Sequence, residues 1–438
     1  MKKVIIFLLC LLMLCGCGSS KIEETVQPTN TSDNKEYLIH NLTDMKDIFI
    51  EDSDLREAND QYNKFVYNLF NEVNNDNDNT LLSPYSLYSV LSILSNGAVD
   101  SDKAHTKLIL ENALGLTVND LNKFYEATSY DITSYNSLLF NSNLGLSIDE
   151  ETKNAISKYY GDVIKEEDFD KNIVDEVNGW CKEKTNGLID SIINEDDIDF
   201  DSALLLLNAI NVQGNFDVTF NPNKTVIQEF TNSDNSKTDV SMMKQTLDGY
   251  WHTDNADGFV KSLDSDYYFV GILTDNMDSN LIGNIINSYI EYEGLDEESN
   301  SANIKHYTNL SFPKFEIDTT NDLDDTLKQL GLESLYDYTK SDFSLFGCDL
   351  IYLHNVRQKN HINVNEEKVE MSSVTIANGK DGASAPTEVK EEIYHDVTFD
   401  RPFIYALVKQ VYIEETNELE NVILFIGSVN NLEETNGN

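Results

Sequence analysis

The sequence predicts a single α+β domain, and three observations support that class. Helix-type apolar periodicity prevails in the first half of the chain and strand-type segments from Phe230 onward, an order more typical of α+β than of alternating βαβ folds. Residues 203–212 are nearly all apolar, as in a central strand buried on both faces. The 438 residues show no internal repeat and no second apolar core, so we expect one large domain over residues 54–434.

Apolar spacing and boundary residues predict the elements of the first half. Ser83 and Pro84 are typical of the cap and first residue of a helix, and Gly115 and Gly161 each follow a helical pattern. The predicted helices cover residues 62–73, 84–97, 104–114, 150–160 and 174–185, and the predicted strands cover 80–82, 137–146 and 203–212.

Strands dominate the predictions for the second half. Their residues are 240–243, 258–263, 268–273, 310–317, 362–364 and 404–408, and two helices interrupt them at 282–292 and 323–330.

A long polar segment, residues 366–398, separates the last two of these strands. Connections beyond about 12–15 residues are rare in compact domains unless they are functional or disordered. Residues 369–377 have the β-branched content of a strand, and residues 378–382 have the composition of a turn. The segment is therefore either a hairpin arm with a surface loop or a strand held in reserve.

The N-terminus has the pattern of an export signal. Lys2 and Lys3 precede an apolar run over residues 4–14, too short for a membrane span, and Leu14-Cys15-Gly16-Cys17 resembles the bacterial lipobox. We expect a lipoprotein signal peptide over residues 1–17, lipidation of Cys17 at the outer face of a membrane, and a polar tether over residues 18–53. The alternative is an ordinary secretory signal with an incidental cysteine.

Composition restricts the partners. The formal net charge of -46 argues against binding to nucleic acid or to an anionic membrane surface, so the lipid anchor is the one membrane contact expected. Without the leader the chain keeps Cys181 and Cys348, which we expect to remain unlinked, in a fold held by its core without a disulfide.

No catalytic constellation is evident. The seven histidines lack metal-ligand spacing, and the sequence has no nucleophile elbow, phosphate loop or dinucleotide fingerprint. We therefore expect no enzymatic activity, no cofactor and no metal.

Ten short motifs, at matching spacing over nearly all of the chain after the tether, resemble the serpin family. They are Leu82-Ser83-Pro84-Tyr85-Ser86, Leu94-Ser95-Asn96-Gly97-Ala98, Val177-Asn178-Gly179-Trp180-Cys181, Lys184-Thr185-Asn186-Gly187, Leu207-Asn208-Ala209-Ile210, Met242-Met243-Lys244-Gln245, Ser311-Phe312-Pro313-Lys314-Phe315, Val364-Asn365-Glu366-Glu367, Asp400-Arg401-Pro402-Phe403 and Ile423-Leu424-Phe425-Ile426-Gly427.

The resemblance implies a serpin-like α+β fold with a large mixed central sheet, two further sheets, about eight or nine helices and an exposed reactive-centre loop. It also implies a mechanism. A serine protease cleaves the loop as a substrate, the freed strand inserts into the main sheet, and the acylated protease is dragged along and inactivated. The partner is then a protease, and the inhibitor is expected to be a monomer.

Residue roles follow from the same resemblance. Ser83, Ser86 and Asn208 match the polar shutter beneath the sheet, and Lys314 and Glu366 match the breach at its top, where we expect an ion pair. The reactive-centre loop comprises Lys368, Val369, Glu370, Met371, Ser372, Ser373, Val374, Thr375, Gly379, Lys380, Asp381, Gly382 and Ala383.

The loop departs from the family pattern at its hinge. Lys368 replaces the usual Gly, and Val369 and Met371 stand where smaller residues are usual. Strand alternation would place Val369, Met371, Ser373 and Thr375 on one face, so insertion is impaired but not forbidden. Elsewhere Phe216, Gln358 and Thr274 replace the family's Trp, His and Pro, substitutions that we expect to be tolerated.

Family spacing gives two estimates of the scissile bond. Counting forward from Glu366 gives Gly382-Ala383, and counting back from Pro402 gives a bond near Glu391-Glu392, because the loop is longer than usual. We favour Gly382-Ala383, which suits an elastase- or subtilisin-like protease, whereas Lys380 or Lys390 would suit a trypsin-like one.

The main hypothesis is a surface-anchored extracellular serpin that traps serine proteases. The alternative is a non-inhibitory serpin-fold lipoprotein, a binding or scaffold module whose loop is merely cleaved. An extracellular hydrolase has no supporting residues.

Overall fold

The computed structural model describes residues 5–17, 55–129, 132, 134–198, 202–253, 256–274, 304–366, 391–413 and 418–434. Three sheets and seven α-helices form this described part of the chain. The mixed central sheet, the two further sheets and the α+β class agree with the expected fold. In the same residues no helix combines the length and the apolar character needed to cross a membrane.

The central sheet has six strands in the order β12-β13-β1-β5-β3-β4. Its members are β1 (Ile5–Cys17), β3 (Ser134–Asn141), β4 (Ile164–Glu167), β5 (Ser202–Gly214), β12 (Phe315–Asp322) and β13 (Ile351–Val364). Strand β1 pairs antiparallel with both β13 and β5. Consequently β5 and β13 run parallel to each other, one strand apart.

A second six-stranded sheet has the order β2-β16-β15-β10-β9-β8. Its strands are β2 (Thr80–Leu82), β8 (Trp251–Thr253), β9 (Ala256–Leu263), β10 (Tyr267–Thr274), β15 (Phe403–Ile413) and β16 (Glu418–Val429). The third sheet has the order β14-β11-β7-β6, formed by β6 (Val226–Thr231), β7 (Lys237–Asp248), β11 (Ile304–Pro313) and β14 (Glu391–Thr398). Strands β14 and β6 are its edges.

The helices cover the sheets, and their starts and stops follow local chemistry. Asp149 caps α5 by accepting from the Glu151 and Thr152 amides, and Gly115 ends α3 with φ of 76°. The helices are α1 (Leu55–Val73), α2 (Pro84–Ser95), α3 (Thr106–Leu114), α4 (Val118–Ser129), α5 (Glu150–Tyr160), α6 (Ile173–Lys184) and α7 (Asp324–Leu327).

Helix α6 lies over one face of the central sheet. Its buried residues Val177 and Cys181 share an apolar cluster with Leu205 and Leu207 of β5. The residues of β5 with even numbers, such as Leu204 and Leu206, belong instead to the main core. Strand β5 is thus buried on both faces, as the apolar run at 203–212 predicted.

Two predictions from the sequence are wrong in detail. Residues 310–317 form not one strand but the end of β11 and the start of β12, which belong to different sheets and meet at Lys314. The predicted helix at 323–330 is shorter, because α7 ends at Leu327 and a wider turn follows through Gly331, whose φ is 95°. The predicted helix at 282–292 lies outside the described residues.

The long segment before Pro402 ends earlier than predicted. Residues 391–398 form β14, which pairs parallel with β11, instead of continuing the loop. Their sequence is mostly polar because β14 is an edge strand, with Val397 as its one buried apolar residue. The intervening residues 367–390, including the reactive-centre loop, lie outside the described residues.

The apolar N-terminal run forms β1, whereas the sequence predicts a signal peptide. A short apolar run does not by itself distinguish a leader from a strand of a buried sheet. The structure has the chain with residues 5–17 still attached, so cleavage of the leader ahead of Cys17 remains a prediction, as does the tether at 18–53.

Cys181 and Cys348 do not pair, as expected, but Cys181 is disulfide-bonded while Cys348 keeps its thiol. The expectation of a fold without a disulfide concerns the chain after removal of its leader and stays a prediction.

Lys261 on β9 is a buried cation in the second sheet, with 5% of its surface exposed. Its ammonium donates to the Val218 carbonyl at 2.7 Å and to Gln245 Oε1 at 2.6 Å. It also lies 4.8 Å and 4.7 Å from the ring centres of Phe216 and Phe220. Burial lowers the pKa of Lys261 from 10.5 to about 8.

This burial predicts a specific pH dependence for Lys261→Met. Below pH 8 the folded wild type carries the full cost of a buried charge, and between pH 8 and 10.5 that cost declines because the folded state has already lost the proton. The free energy of unfolding of the variant minus that of the wild type should fall by about 2 kcal/mol between pH 7 and pH 9.5, as measured by urea unfolding. Lys153→Met, at an exposed lysine of α5, is the control. A difference for Lys261→Met that does not change with pH would contradict the account.

Candidate functional site: the shutter and the breach

The shutter is built around the N-terminus of α2. Pro84 is the first helical residue, and Ser83 caps the helix. The Ser83 hydroxyl accepts from the Ser86 amide and donates to the Leu424 carbonyl of β16 at 2.9 Å. Ser83 and Ser86 are fully buried, so their polar groups need these partners.

Gln358 of β13 holds Ser83 by a two-point contact. The Ser83 amide donates to Gln358 Oε1 at 3.0 Å, and Gln358 Nε2 donates to the Ser83 carbonyl at 3.0 Å. A side-chain amide can do this because it carries one acceptor and one donor group side by side. These two hydrogen bonds tie Ser83, the N-cap residue of α2, to β13. Gln358 is itself fully buried, so water cannot replace them.

Asn208 of β5 holds the same helix end from the other side. The Ser86 hydroxyl donates to Asn208 Oδ1, and Asn208 Nδ2 donates to Ser134 Oγ at 2.8 Å and Asn136 Oδ1 at 2.7 Å on β3. Asn208 therefore links α2, β5 and β3. The structure brings together all three shutter residues predicted from the sequence.

The two contacts lie at the same level of the central sheet. Leu11 of β1 pairs with Asn208 on one side and with Gln358 on the other. The N-terminus of α2 thus bridges the two strands that flank β1. Any change in the spacing of β5 and β13 must break or rearrange these hydrogen bonds.

The predicted breach ion pair is confirmed. Lys314 Nζ lies 2.8 Å from Glu366 Oε2, and the Glu366 side chain is 5% exposed. Thr225 donates to the other carboxylate oxygen. Burial raises the pKa of Glu366, but the hydrogen bonds from Lys314 and Thr225 outweigh it and hold the pKa below its usual value.

This pair lies where the loop departs from the sheet. Phe315 of β12 pairs with Val364 of β13, so Lys314 and Glu366 flank the top of these two strands. Glu366 is two residues beyond the end of β13. The pair therefore fixes the N-terminal base of the loop to the junction of β11 and β12.

Reasoning from the sequence missed the importance of two residues. Gln358 was expected to be a tolerated substitution, yet it makes the two hydrogen bonds that tie Ser83 to β13. A polar residue within the apolar alternation of β13 is the signal that could have identified it. Thr225 precedes β6 and carried no signal, because its contact with Glu366 depends on tertiary packing alone.

The described residues hold no group of three or more His, Cys, Asp or Glu side chains placed to bind a metal ion.

Comparison with known proteins identifies the family. The family model described as "Serpin (serine protease inhibitor)" matches residues 60–432. The chain therefore belongs to the serpin family. Members of this family are in general protease inhibitors rather than enzymes, although some are non-inhibitory.

Relatives and solved structures agree with this assignment. An uncharacterized serpin-like protein of Methanosarcina acetivorans is 25% identical over 399 residues, which span 87% of each chain. Neuroserpin of Mus musculus is 24% identical and covers 84% of this chain and 90% of its own length. The thermophilic serpin tengpin in its native state is 26% identical with a TM-score of 0.67, covering 87% of this chain and 96% of its own.

Two further structures support the fold alone. Tengpin in its latent state is 23% identical with a TM-score of 0.62, covering 88% of this chain and 100% of its own. Thyroxine-binding globulin in complex with thyroxine is 20% identical with a TM-score of 0.64, covering 86% and 100%.

Gln358→Ala should destabilise the protein by about 2–4 kcal/mol, because it leaves the buried Ser83 amide without its partner and the Ser83 carbonyl with only the 3.4 Å hydrogen bond from the Leu87 amide. Gln358→Met keeps the side-chain length but not the hydrogen bonds. Its free energy of unfolding in urea should fall by most of the amount lost in Gln358→Ala. Gln228→Ala, on the half-buried edge strand β6, is the control and should change stability by less than about 0.5 kcal/mol. Wild-type stability of Gln358→Met would show that packing, not hydrogen bonding, matters at this position.

Lys314→Met should destabilise the protein by about 2–3 kcal/mol at pH 7, a value reduced for the partial exposure of Lys314. The loss should largely disappear when Glu366→Gln is added, because no buried charge then lacks a partner. Since pairing lowers the pKa of Glu366, the stability it contributes is present at neutral pH and is lost as the pH falls through that pKa. A Lys314→Met effect of equal size at pH 7 and pH 3.5 would contradict this assignment.

Proposed function

We propose that this serpin is an extracellular suicide-substrate inhibitor that traps serine proteases by inserting its cleaved loop into the central sheet. The proposal rests on one observation, which is that β1 occupies a full strand position between β5 and β13.

The position of β1 has the orientation that an inserted loop would need. The loop follows β13 directly, so a loop that turned back beside β13 would run antiparallel to it. Strand β1 has 13 residues and runs antiparallel to both neighbours, with eleven paired positions on β13 and twelve on β5. Removal of the leader at Cys17 would leave this position vacant, and residues 369–377 are long enough to fill most of it.

Insertion would be favourable for two physical reasons. A strand between β5 and β13 gains hydrogen-bond ladders on both sides, whereas a loop in water has none within the protein. Alternation would turn Val369 and Met371 toward one face, where their apolar surface is buried. The uncut state is then kinetically trapped, and its stability is a rate.

The C-terminal limit of the loop favours Gly382-Ala383 as the cleaved bond. The alternative bond, Glu391-Glu392, lies at the start of β14, where both residues pair with β11. A protease requires an extended and accessible substrate, which residues of a hydrogen-bonded ladder do not provide. Small residues at Gly382-Ala383 suit an elastase- or subtilisin-like target, and Lys380 is the trypsin-like alternative.

A second candidate function is a non-inhibitory surface module whose loop is only cleaved. The hinge favours it, because Lys368 restricts the backbone where the family usually has glycine, and Val369 and Met371 are larger than the usual residues. Slow insertion would let the protease hydrolyse the acyl-enzyme before it is displaced, so that the serpin acts as a substrate.

A soluble form expressed from Gly18, without the leader and the lipid anchor, should form a detergent-stable adduct with elastase or subtilisin. Incubation with each protease and with trypsin, followed by denaturing electrophoresis and mass spectrometry of the small released fragment, checks both the adduct and the bond. Met371→Asp should abolish the adduct, because a charge on the inward face opposes insertion, whereas Ser372→Asp on the opposite face should retain it. Clean cleavage of the wild-type loop without any adduct would support the second candidate.

The proposed location is the outer face of a bacterial membrane, held by lipidated Cys17. Cells that express the full chain should incorporate labelled palmitate into it and release little of it into the medium. Cys17→Ser should remove both the label and the membrane attachment, whereas Cys15→Ser should retain them. Label in the Cys17→Ser protein would refute this anchor.

A further inference from the structure

Three of the seven histidines, far apart in sequence, gather beside β14. His306 of β11 and His395 of β14 form a hydrogen bond, with 2.9 Å between Nδ1 of His306 and Nε2 of His395. The ring of Tyr250 stacks on His395 at 3.7 Å and 3°, and it also stacks on His252 of β8 at 4.8 Å. Histidine is the side chain whose ordinary pKa lies closest to physiological pH.

We propose that the His306–His395 pair is an acid-operated latch that holds β14 on β11 at neutral pH and releases it on acidification. The inference deepens the proposed function and rests on it in one respect: release of β14 matters because it lengthens the uncut loop.

The geometry limits how many protons the docked pair can hold. A hydrogen bond between two ring nitrogens at 2.9 Å needs one nitrogen without a proton, so the pair accepts at most one extra proton. Two imidazolium rings facing through these nitrogens would lack an acceptor and would repel each other. Once β14 has left β11, each ring takes up a proton independently. Acid therefore favours the released state.

The charged groups around the pair do not remove the preference of the released strand for protons. Burial, His306 and His252 lower the pKa of His395, while Asp257 of β9 raises it and is itself held by the Tyr250 hydroxyl at 2.8 Å. Lys305 of β11 forms an ion pair with Asp248 of β7 at 3.4 Å. On β14, the Glu392 carboxylate accepts from the Tyr394 hydroxyl, and Asp396 accepts from Asn309 at 3.0 Å.

Strand β14 is a suitable element for such a switch. It is an edge strand that pairs with β11 over eight residues. At the other end of the loop, Glu366 is held by its ion pair with Lys314. With β14 docked, both ends of the loop are held. Its release adds those eight residues, about 26 Å of extended chain, to the slack available to the intact loop. This added length would let an uncut loop enter the sheet further, which would inactivate the inhibitor in acid.

Hydrogen exchange of the uncut full chain tests the latch. After division by intrinsic chemical rates, the amides of residues 393–397 should exchange at least about tenfold faster at pH 5.5 than at pH 7.5. This factor is the one expected if the released strand binds one more proton than the docked pair, since a released histidine has the ordinary pKa of about 6.5. His306→Gln should abolish this response, because an amide can either donate to His395 or accept from it. His395→Gln should do the same and serves as a second variant if His306→Gln folds poorly.

His252→Gln is the matched control, since His252 stacks on Tyr250 without sharing the hydrogen bond, and it should keep the response. An unchanged normalised exchange in the wild type, or a wild-type response in folded His306→Gln, would overturn the latch. No protease is present in this experiment. Acid release of β14 in a protein that forms no protease adduct would therefore refute the proposed function and leave the latch intact.

Discussion

The structure depends on the way the N-terminus of α2 is tied to two strands at once. Ser83 binds Gln358 of β13, and Ser86 binds Asn208 of β5, so one helix end sets the distance between strands that do not pair with each other. These groups are fully buried, and losing a partner there costs more than at the surface. The same contacts that hold the sheet together are those that must rearrange when its spacing changes.

A second constraint, the breach, lies at the C-terminal end of β13. Glu366 is anchored by Lys314 and Thr225, so the loop starts from a fixed point beside the top of the sheet. At its far end the loop meets β14, held on β11. A chain fixed at both ends cannot enter the sheet completely until it is cut or until one end is released. The fixed ends of the loop explain why the proposed inhibition requires cleavage. They also explain why the histidine pair, by releasing β14, would regulate the inhibitor.

Much of the fold followed from the sequence where a local signal agreed with tertiary packing. Asp149 capped α5, and the apolar run at 203–212 became the doubly buried β5. The Lys314–Glu366 pair came from resemblance to the family. Helix α4 was missed because several of its buried positions, such as Asp120 and Asn122, are polar and weaken the apolar stripe that includes Leu121. Strand β14 was missed because an edge strand carries few apolar residues, and Gln358 because its role depends on the backbone of a distant helix cap.

The most direct test of loop insertion is the melting temperature of the soluble form that begins at Gly18, measured before and after a protease cuts its loop. If the freed segment fills the position between β5 and β13, the cleaved protein gains a complete strand and should melt well above the intact one. A cleaved protein that melts at or below the temperature of the intact one, with the cut verified within residues 378–390, would contradict the account.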